Sequence, residues 1–356
     1  MIPVTKPFLP PKEKVYELLD GVFERNWLTN NGPLLLELES RLKRYLSANH
    51  LQFVTNGTIA LQIAIKVLGL KGEIITTPYS YVATSSSILW EGCKPIYVDI
   101  NESDFCIDPD KIEEAITSDT SAILATHVYG IPCDTDKILN ISRKYKIKVI
   151  YDAAHAFGVE LNGEHITNYG DISTLSFHAT KPYHSVEGGA IITNSKEINE
   201  KVFLSKAFGH VGDDHIQLGI NGKASEFHAA VGLCVLNYIQ EIITLRKQRW
   251  VRYNDNLYGK LFTMDIPKNI EYNYSYFPIV FETETQMVKA KERLFKNGVE
   301  SRRYFFPSLN DLPYLSSRQQ CEISESISSR VLCLPLYHDL ELDEVNRISS
   351  LVIDCL

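Results

Sequence analysis

Ser173-Thr-Leu-Ser176-Phe-His178-Ala-Thr180-Lys181-Pro-Tyr-His184-Ser-Val-Glu-Gly188-Gly189-Ala190-Ile-Ile-Thr193 reads as a strand, a polar loop and a second strand. Ser173–Phe177 and Ala190–Thr193 are the strand-like runs. Between them stands one lysine, flanked by hydroxyl and imidazole donors and followed by a glycine pair. A lysine in water is a solvated cation. Schiff-base chemistry needs the neutral amine, so the surroundings must lower its pKa. Lys181, just past a strand end, is the candidate for that role. Ser176, five residues upstream, is a candidate phosphate ligand.

Upstream the strand signature recurs. Lys148–Asp152 (KVIYD), Ser121–His127 (SAILATH), Pro95–Ile100 (PIYVDI) and Glu73–Thr77 (EIITT) are strand-like, and Leu51–Val54 leads into a helix. Helical patterns lie between them, with Ile59, Ile63 and Val67 on one face. This alternation predicts an α/β fold, a mainly parallel sheet with helices on both sides. Ligands of such sheets sit beyond the carboxyl ends of the strands. Two more stretches lie at such ends. Thr55-Asn56-Gly57-Thr58 opens a helix, where free N–H groups and the helix dipole make either a phosphate site or an ordinary cap. Asp152 begins Asp152-Ala-Ala-His155-Ala-Phe-Gly158. It is either the anion that keeps a cofactor's pyridinium nitrogen protonated or a cap on the next helix.

After Leu236 the pattern changes. A helical stretch with Arg246, Lys247, Arg249 and Arg252 reads as a solvated face. It leads to an aromatic strand, Tyr276-Phe-Pro-Ile-Val-Phe281, and a helix bearing Met287, Ala290 and Leu294. The reading is a large domain over 1–245 and a small α+β domain over 246–356, with the N-terminal segment packing on the latter.

At 356 residues the chain has room for two domains, and its 44% hydrophobic fraction supplies sizeable cores. A net charge of −8 argues against non-specific nucleic-acid binding, which needs a basic surface, but leaves room for a local anion site. Seven cysteines, an odd number with no CxxC pair, point away from a zinc module or disulfide framework and toward free thiols. No metal site is expected. No apolar run of about 18 residues occurs, and no basic-then-apolar leader opens the chain. The expectation is a cytoplasmic protein that engages neither membrane nor nucleic acid.

Taken in order, these stretches resemble the DegT/StrS-type nucleotide-sugar aminotransferases, fold-type I enzymes that use pyridoxal 5'-phosphate (PLP). The resemblance runs through nearly the whole chain. It starts at Trp27-Leu-Thr-Asn-Asn-Gly32-Pro33 and Pro78-Tyr-Ser-Tyr81-Val-Ala-Thr84, and continues through Tyr129-Gly130, Asp152–Gly158 and the run to Lys181. It then covers Gly219-Ile-Asn221-Gly-Lys-Ala-Ser-Glu-Phe-His-Ala-Ala230, Arg303-Tyr-Phe-Phe-Pro307 and Cys333-Leu-Pro335-Leu-Tyr337. It implies a seven-stranded, mainly parallel sheet in the large domain. It implies Lys181 as the catalytic Schiff-base lysine and proton carrier, Asp152 against the pyridinium nitrogen, and Tyr81 on the ring face. Gly57, Thr58 and Ser176 would hold the phosphate. His155 stands where many relatives have glutamine near the ring hydroxyl. Asn221 would reach the neighbouring subunit's phosphate site, implying a homodimer with shared active sites. Ala224 stands where relatives often carry methionine, a change in packing.

Thr29, Asn30, His184, Arg303 and Tyr304 are the candidate substrate contacts. Arg302, Arg303 and Tyr304 suit a nucleotide diphosphate, with buried structural pairing as the other reading. His338 either lines the pocket or finishes a strand. The implied reaction aminates C4 of a dTDP-4-keto-6-deoxyhexose with L-glutamate, for a surface polysaccharide such as O-antigen. Amination at C3 of the 3-keto isomer is the alternative. A sugar dehydratase of this fold would carry histidine in place of Lys181. A non-catalytic sugar-nucleotide binder would need neither Lys181 nor Asp152, and a regulator would need a DNA-binding appendage.

Overall fold

The computed structural model describes residues 1–315 and 317–356. Its central sheet has seven strands: β1 (His50–Val54), β2 (Glu73–Thr76), β3 (Lys94–Tyr97), β4 (Thr120–Thr126), β5 (Lys148–Asp152), β6 (Ile172–Ser176) and β7 (Gly189–Thr193). Their order is β1-β7-β6-β5-β4-β2-β3. From β6 to β3 every neighbouring pair is parallel. β7 alone runs against its neighbours β6 and β1. The helices are α1 (Lys12–Arg25), α2 (Pro33–Tyr45), α3 (Gly57–Val67), α4 (Ala83–Trp90), α5 (Thr135–Tyr145), α6 (Lys196–Ser205), α7 (Glu226–Leu236), α8 (Ile239–Leu257), α9 (Glu284–Lys296), α10 (Glu322–Arg330) and α11 (Leu342–Ile353).

Strands buried on both faces must be apolar at consecutive positions, because successive side chains point to opposite sides. Here Ile74, Leu124, Ile150 and Ile191 enter one core with Ile63 of α3 and Val202 of α6. Their chain neighbours Ile75, Ile123, Tyr151 and Ile192 enter the other, against Leu38 of α2, Ile138 of α5 and Leu233 of α7. The parallel strands therefore end on one edge, and Asp152 and Ser176 stand there as last residues of β5 and β6.

Past α8, strands β8 (Phe262–Thr263), β9 (Pro278–Val280) and β10 (Val331–Cys333) form an antiparallel sheet. It packs with α9 and α11 around Phe277, Met287, Leu294 and Ile348. The N-terminal segment joins this part: Ile2 exchanges backbone hydrogen bonds with Gly298 and Glu300 at 2.7 and 2.8 Å. The expected boundary between residues 245 and 246 falls inside α8, one unbroken helix of 19 residues. Its Ile239 and Ile242 belong to the sheet core, and its Trp250, Tyr253 and Leu257 to the second core. Arg246 corrects the expectation of a solvated face. It is only 3% exposed and donates to the carbonyls of Tyr274 and Ser275 at 2.9 and 2.7 Å. The expected strand from Tyr276 also starts two residues later, at Pro278, because the preceding segment spends its polar groups on side-chain contacts.

One anchor was not anticipated. Glu226, fully buried, accepts from Leu34 N and Leu35 N at 2.9 Å each, capping α2 with its carboxylate. Gly32 fits because a Cβ there would strike that carboxylate. A carboxylate on free N–H groups at a helix start answers both the missing hydrogen bonds and the dipole. Glu226→Ala should lower unfolding stability in urea by about 3 kcal/mol, the scale of two charge-assisted bonds lost in a buried place. An unchanged midpoint would mean that water or another group caps α2 equally well.

Candidate active site

A cavity of about 820 Å³ opens at the carboxyl edge of the sheet, between it and the segment around Tyr304. Its one end is the start of α3. Asn56 caps that helix by accepting from Ile59 N at 2.9 Å. Gly57 and Thr58 follow in the first turn, where backbone N–H groups have no helical partner. Ser176 faces them from the end of β6. A Cβ at Gly57 would meet the Ser176 Cβ at 3.0 Å, so glycine lets the two elements close into one cradle. Free N–H groups, a hydroxyl and a helix dipole together suit a phosphate.

Asp152 stands at the middle of the floor, 5% exposed. Its carboxylate accepts from Thr84 Oγ1 at 2.9 Å and Ala154 N at 3.1 Å. Thr84 in turn meets Ser80 at 2.8 Å, and Thr126 donates to Ser80 at 3.2 Å, so a chain of buried hydroxyls fixes the carboxylate. Burial pushes its carboxyl above the ordinary range, against the pull of these hydrogen bonds and of the Lys181 charge. A cation brought against it would reverse that shift, so the position is suited to a protonated ring nitrogen.

Lys181 lines the same wall. Desolvation pushes its amine down to about 8, although Asp152 and Tyr81 pull the other way. Its Nζ donates to Tyr276 Oη at 3.2 Å. His155 is 3% exposed, and burial first, then the Lys181 charge, hold its imidazole well below the usual range. It therefore stays neutral. It stacks on Phe305 with centroids 5.3 Å apart, and its Nδ1 is buried with no partner among the described residues. Tyr81, 55% exposed, lines the cavity. A phosphate cradle, a buried carboxylate, a depressed lysine and a neutral imidazole around one cavity fit PLP.

Of the substrate candidates, Thr29 and Tyr304 line the cavity; Asn30, His184 and Arg303 do not. His184 is buried behind the loop, with Nε2 at 2.8 Å from the Phe8 carbonyl. Arg303 is engaged by Glu284 and the Ser329 carbonyl, both at 2.9 Å. Its neighbour Arg302 lines the cavity in its stead. His338 is not among the lining residues and packs edge-on against Phe8. Asn221 is exposed outside this cavity and accepts from Lys223 Nζ at 2.9 Å. Tyr276 and Lys223 line the cavity and were not singled out from the sequence. The seven cysteines are all buried and free. No single helix among the described residues is long and apolar enough to cross a membrane.

Residues 11–353 match the DegT/DnrJ/EryC1/StrS aminotransferase family. The chain is 43% identical to the dTDP-4-amino-4,6-dideoxy-D-glucose transaminase of Shigella dysenteriae, over 98% of this chain and 97% of that one. It is 40% identical to the enzyme of the same name from Escherichia coli, over 99% and 98%. Among solved structures it superposes on DesI, crystallised in the presence of its TDP-sugar product, with a TM-score of 0.94 and 29% identity over 99% of this chain and 92% of that one.

Proposed function

The chain belongs to the DegT/DnrJ/EryC1/StrS aminotransferase family, and from that membership we propose that it moves the amino group of L-glutamate onto C4 of a dTDP-linked 4-keto-6-deoxyhexose. It is a PLP-dependent sugar aminotransferase. The observation that carries the reading is Lys181, an amine pushed down to about 8 on the wall of a cavity whose floor holds the Asp152 carboxylate. The names of the two Shigella and Escherichia relatives support the dTDP sugar.

PLP, when bound, supplies an electron sink that stabilises negative charge on the carbon losing its proton. The chain's residues divide the remaining work. Gly57, Thr58 and Ser176 take the phosphate. Asp152 holds a proton on the ring nitrogen through its anionic oxygen. Tyr81 and His155 line the cavity where the ring would lie, and His155, kept neutral by burial, would add no charge there. Lys181 Nζ takes the proton from the donor's α-carbon and, in the second half of the cycle, delivers one to the sugar carbon that receives nitrogen. Lys223 and Arg302 bring positive charge to the cavity, which suits the diphosphate of a sugar nucleotide, with Glu187 the carboxylate at the same rim.

The working unit is a homodimer, with Asn221 completing the partner's phosphate site. Its support is the apolar surface beside Asn221. Phe208, whose N–H donates to the Ile220 carbonyl at 3.1 Å, Leu218 and Ile220 are 49%, 70% and 41% exposed in the single chain. A monomer rarely leaves so much apolar surface in one region. The product would feed a surface polysaccharide.

Incubating the enzyme with dTDP-4-keto-6-deoxyglucose and glutamate should give 2-oxoglutarate and amino sugar in equal amounts, with NMR locating the amine on C4. Amine on C3 would reassign the position. Ammonia and a deoxy sugar with no amino product would refute amino transfer.

A further inference from the structure

We propose that Tyr276 positions the Lys181 amine while that amine is free to carry a proton; the proposal rests on the reading of Lys181 as proton carrier. Lysine ends a flexible four-carbon stem, and a proton transfer needs its nitrogen held near one place. Tyr276 is the side chain whose polar atom meets Lys181 Nζ, at 3.2 Å. Its own position is fixed from several sides.

The segment before it is fastened group by group. Tyr272 donates to the Tyr129 carbonyl at 2.8 Å. Asn273 donates to the carbonyls of His155 and Phe157 at 2.8 and 3.0 Å, and Ser275 to that of His155 at 3.0 Å. Arg246, buried in α8, closes the carbonyls of Tyr274 and Ser275 from the other side. The ring itself meets His155, Tyr129 and Tyr304 with centroids 5.1, 5.4 and 5.5 Å away. A phenol so held cannot follow a wandering amine; the amine must come to it.

The phenol suits both charge states of the lysine. It accepts from the ammonium form and can donate to the lone pair of the neutral form. Burial holds its own ionisation far above the usual range, so it neither takes nor gives up the travelling proton. The titratable groups facing the amine are Asp152, His155, Tyr81 and Tyr276 itself. Asp152 is the one carboxylate among them.

Tyr276→Phe keeps the ring and removes the hydroxyl. Its kcat should fall about 10- to 100-fold, the size of one hydrogen bond to a charged group, with KM for glutamate and keto sugar within about twofold. The deuterium isotope effect on kcat with glutamate labelled at the α-carbon should rise, because proton transfer becomes slower than the other steps. A readout independent of turnover is the rate at which apoprotein captures PLP at pH 6 to 10. Above the inflection near pH 8 the amine is neutral, and the plateau there reports its orientation. That plateau should drop about tenfold. Wild-type kcat and an unmoved plateau would overturn the proposal. So would a rise in KM alone, which would make Tyr276 a substrate contact. In either case a Lys181→Ala control without activity would leave the reading of Lys181 standing; an active control would refute that reading itself. If Tyr276→Phe does not fold, Asn273→Ala cuts the tether and leaves the phenol. It should lower both kcat and plateau, and wild-type values for both would overturn the proposal equally.

Discussion

Lys181→Ala is expected to give a colourless protein that binds PLP only reversibly and transfers amino groups at least about 10⁴-fold more slowly than wild type. The size of the loss follows from the two tasks that meet on one nitrogen. The amine must attack a carbonyl carbon, which the ammonium form cannot do, and must later accept a proton. Desolvation on the cavity wall, outweighing the opposing pull of Asp152 and Tyr81, pushes it down to about 8. The sign of the pH dependence follows. Below the inflection each pH unit costs about tenfold in neutral amine, so covalent capture of PLP should slow as pH falls and level off above it. Alanine supplies neither the nucleophile nor the acceptor at any pH. Lys223 is the other lysine on the cavity wall, so the assignment has a named competitor. Borohydride reduction of the wild-type holoprotein and peptide mapping should place the pyridoxyl group on Lys181. Label on Lys223 would overturn the assignment.

Asp152→Asn should keep the fold and lose about 10²- to 10⁴-fold in kcat, the few kcal/mol of a preorganised electrostatic contact. The fold survives because asparagine has the same shape: its carbonyl oxygen can still accept from Ala154 N, and its NH2, in place of the oxygen that meets Thr84 Oγ1, can donate to that hydroxyl. It cannot become an anion. A buried carboxylate is held above its usual range until a cation arrives, so ring-nitrogen protonation and Asp152 ionisation sustain each other. The amide breaks that partnership, and the ring nitrogen loses its proton. Circular dichroism should match wild type while turnover collapses. Near-native turnover in a folded Asp152→Asn protein would remove the carboxylate from the chemistry.

Lys181 and Asp152 stood out in the sequence because Asp152 ends a strand and Lys181 follows one, and strand ends define the edge where such sheets bind ligands. The sheet itself was legible for a related reason: paired apolar neighbours such as Ile74-Ile75 or Ile191-Ile192 are what burial on two faces requires. Tyr276 was read as part of a strand, although Asn273 and Ser275 interrupt the apolar run just before it. Those two polar residues signal a segment that spends its hydrogen bonds outside a ladder. Arg302 and Arg303 show a limit of another kind. Adjacent residues on an extended segment point opposite ways, and nothing local says which one faces the cavity. Arg246 carried a readable signal. It sits in register with Ile239, Ile242, Trp250, Tyr253 and Leu257, the apolar stripe of α8, and charge within such a stripe marks a buried polar task. Asn221 lies outside the cavity, and nothing local in the sequence says whether such a residue lines it.

The unbroken course of α8 has a consequence for how the chain comes apart. Trp250, Tyr253 and Leu257 lie in one core while Ile239 and Ile242 lie in the other. Melting the smaller core alone would leave the three large side chains of α8 facing water, at roughly 2 kcal/mol each. That sum, about 6 kcal/mol, matches the lower end of the net stability of an ordinary domain, about 5–15 kcal/mol. The two halves are therefore expected to unfold in one calorimetric transition, and two separate transitions would contradict this.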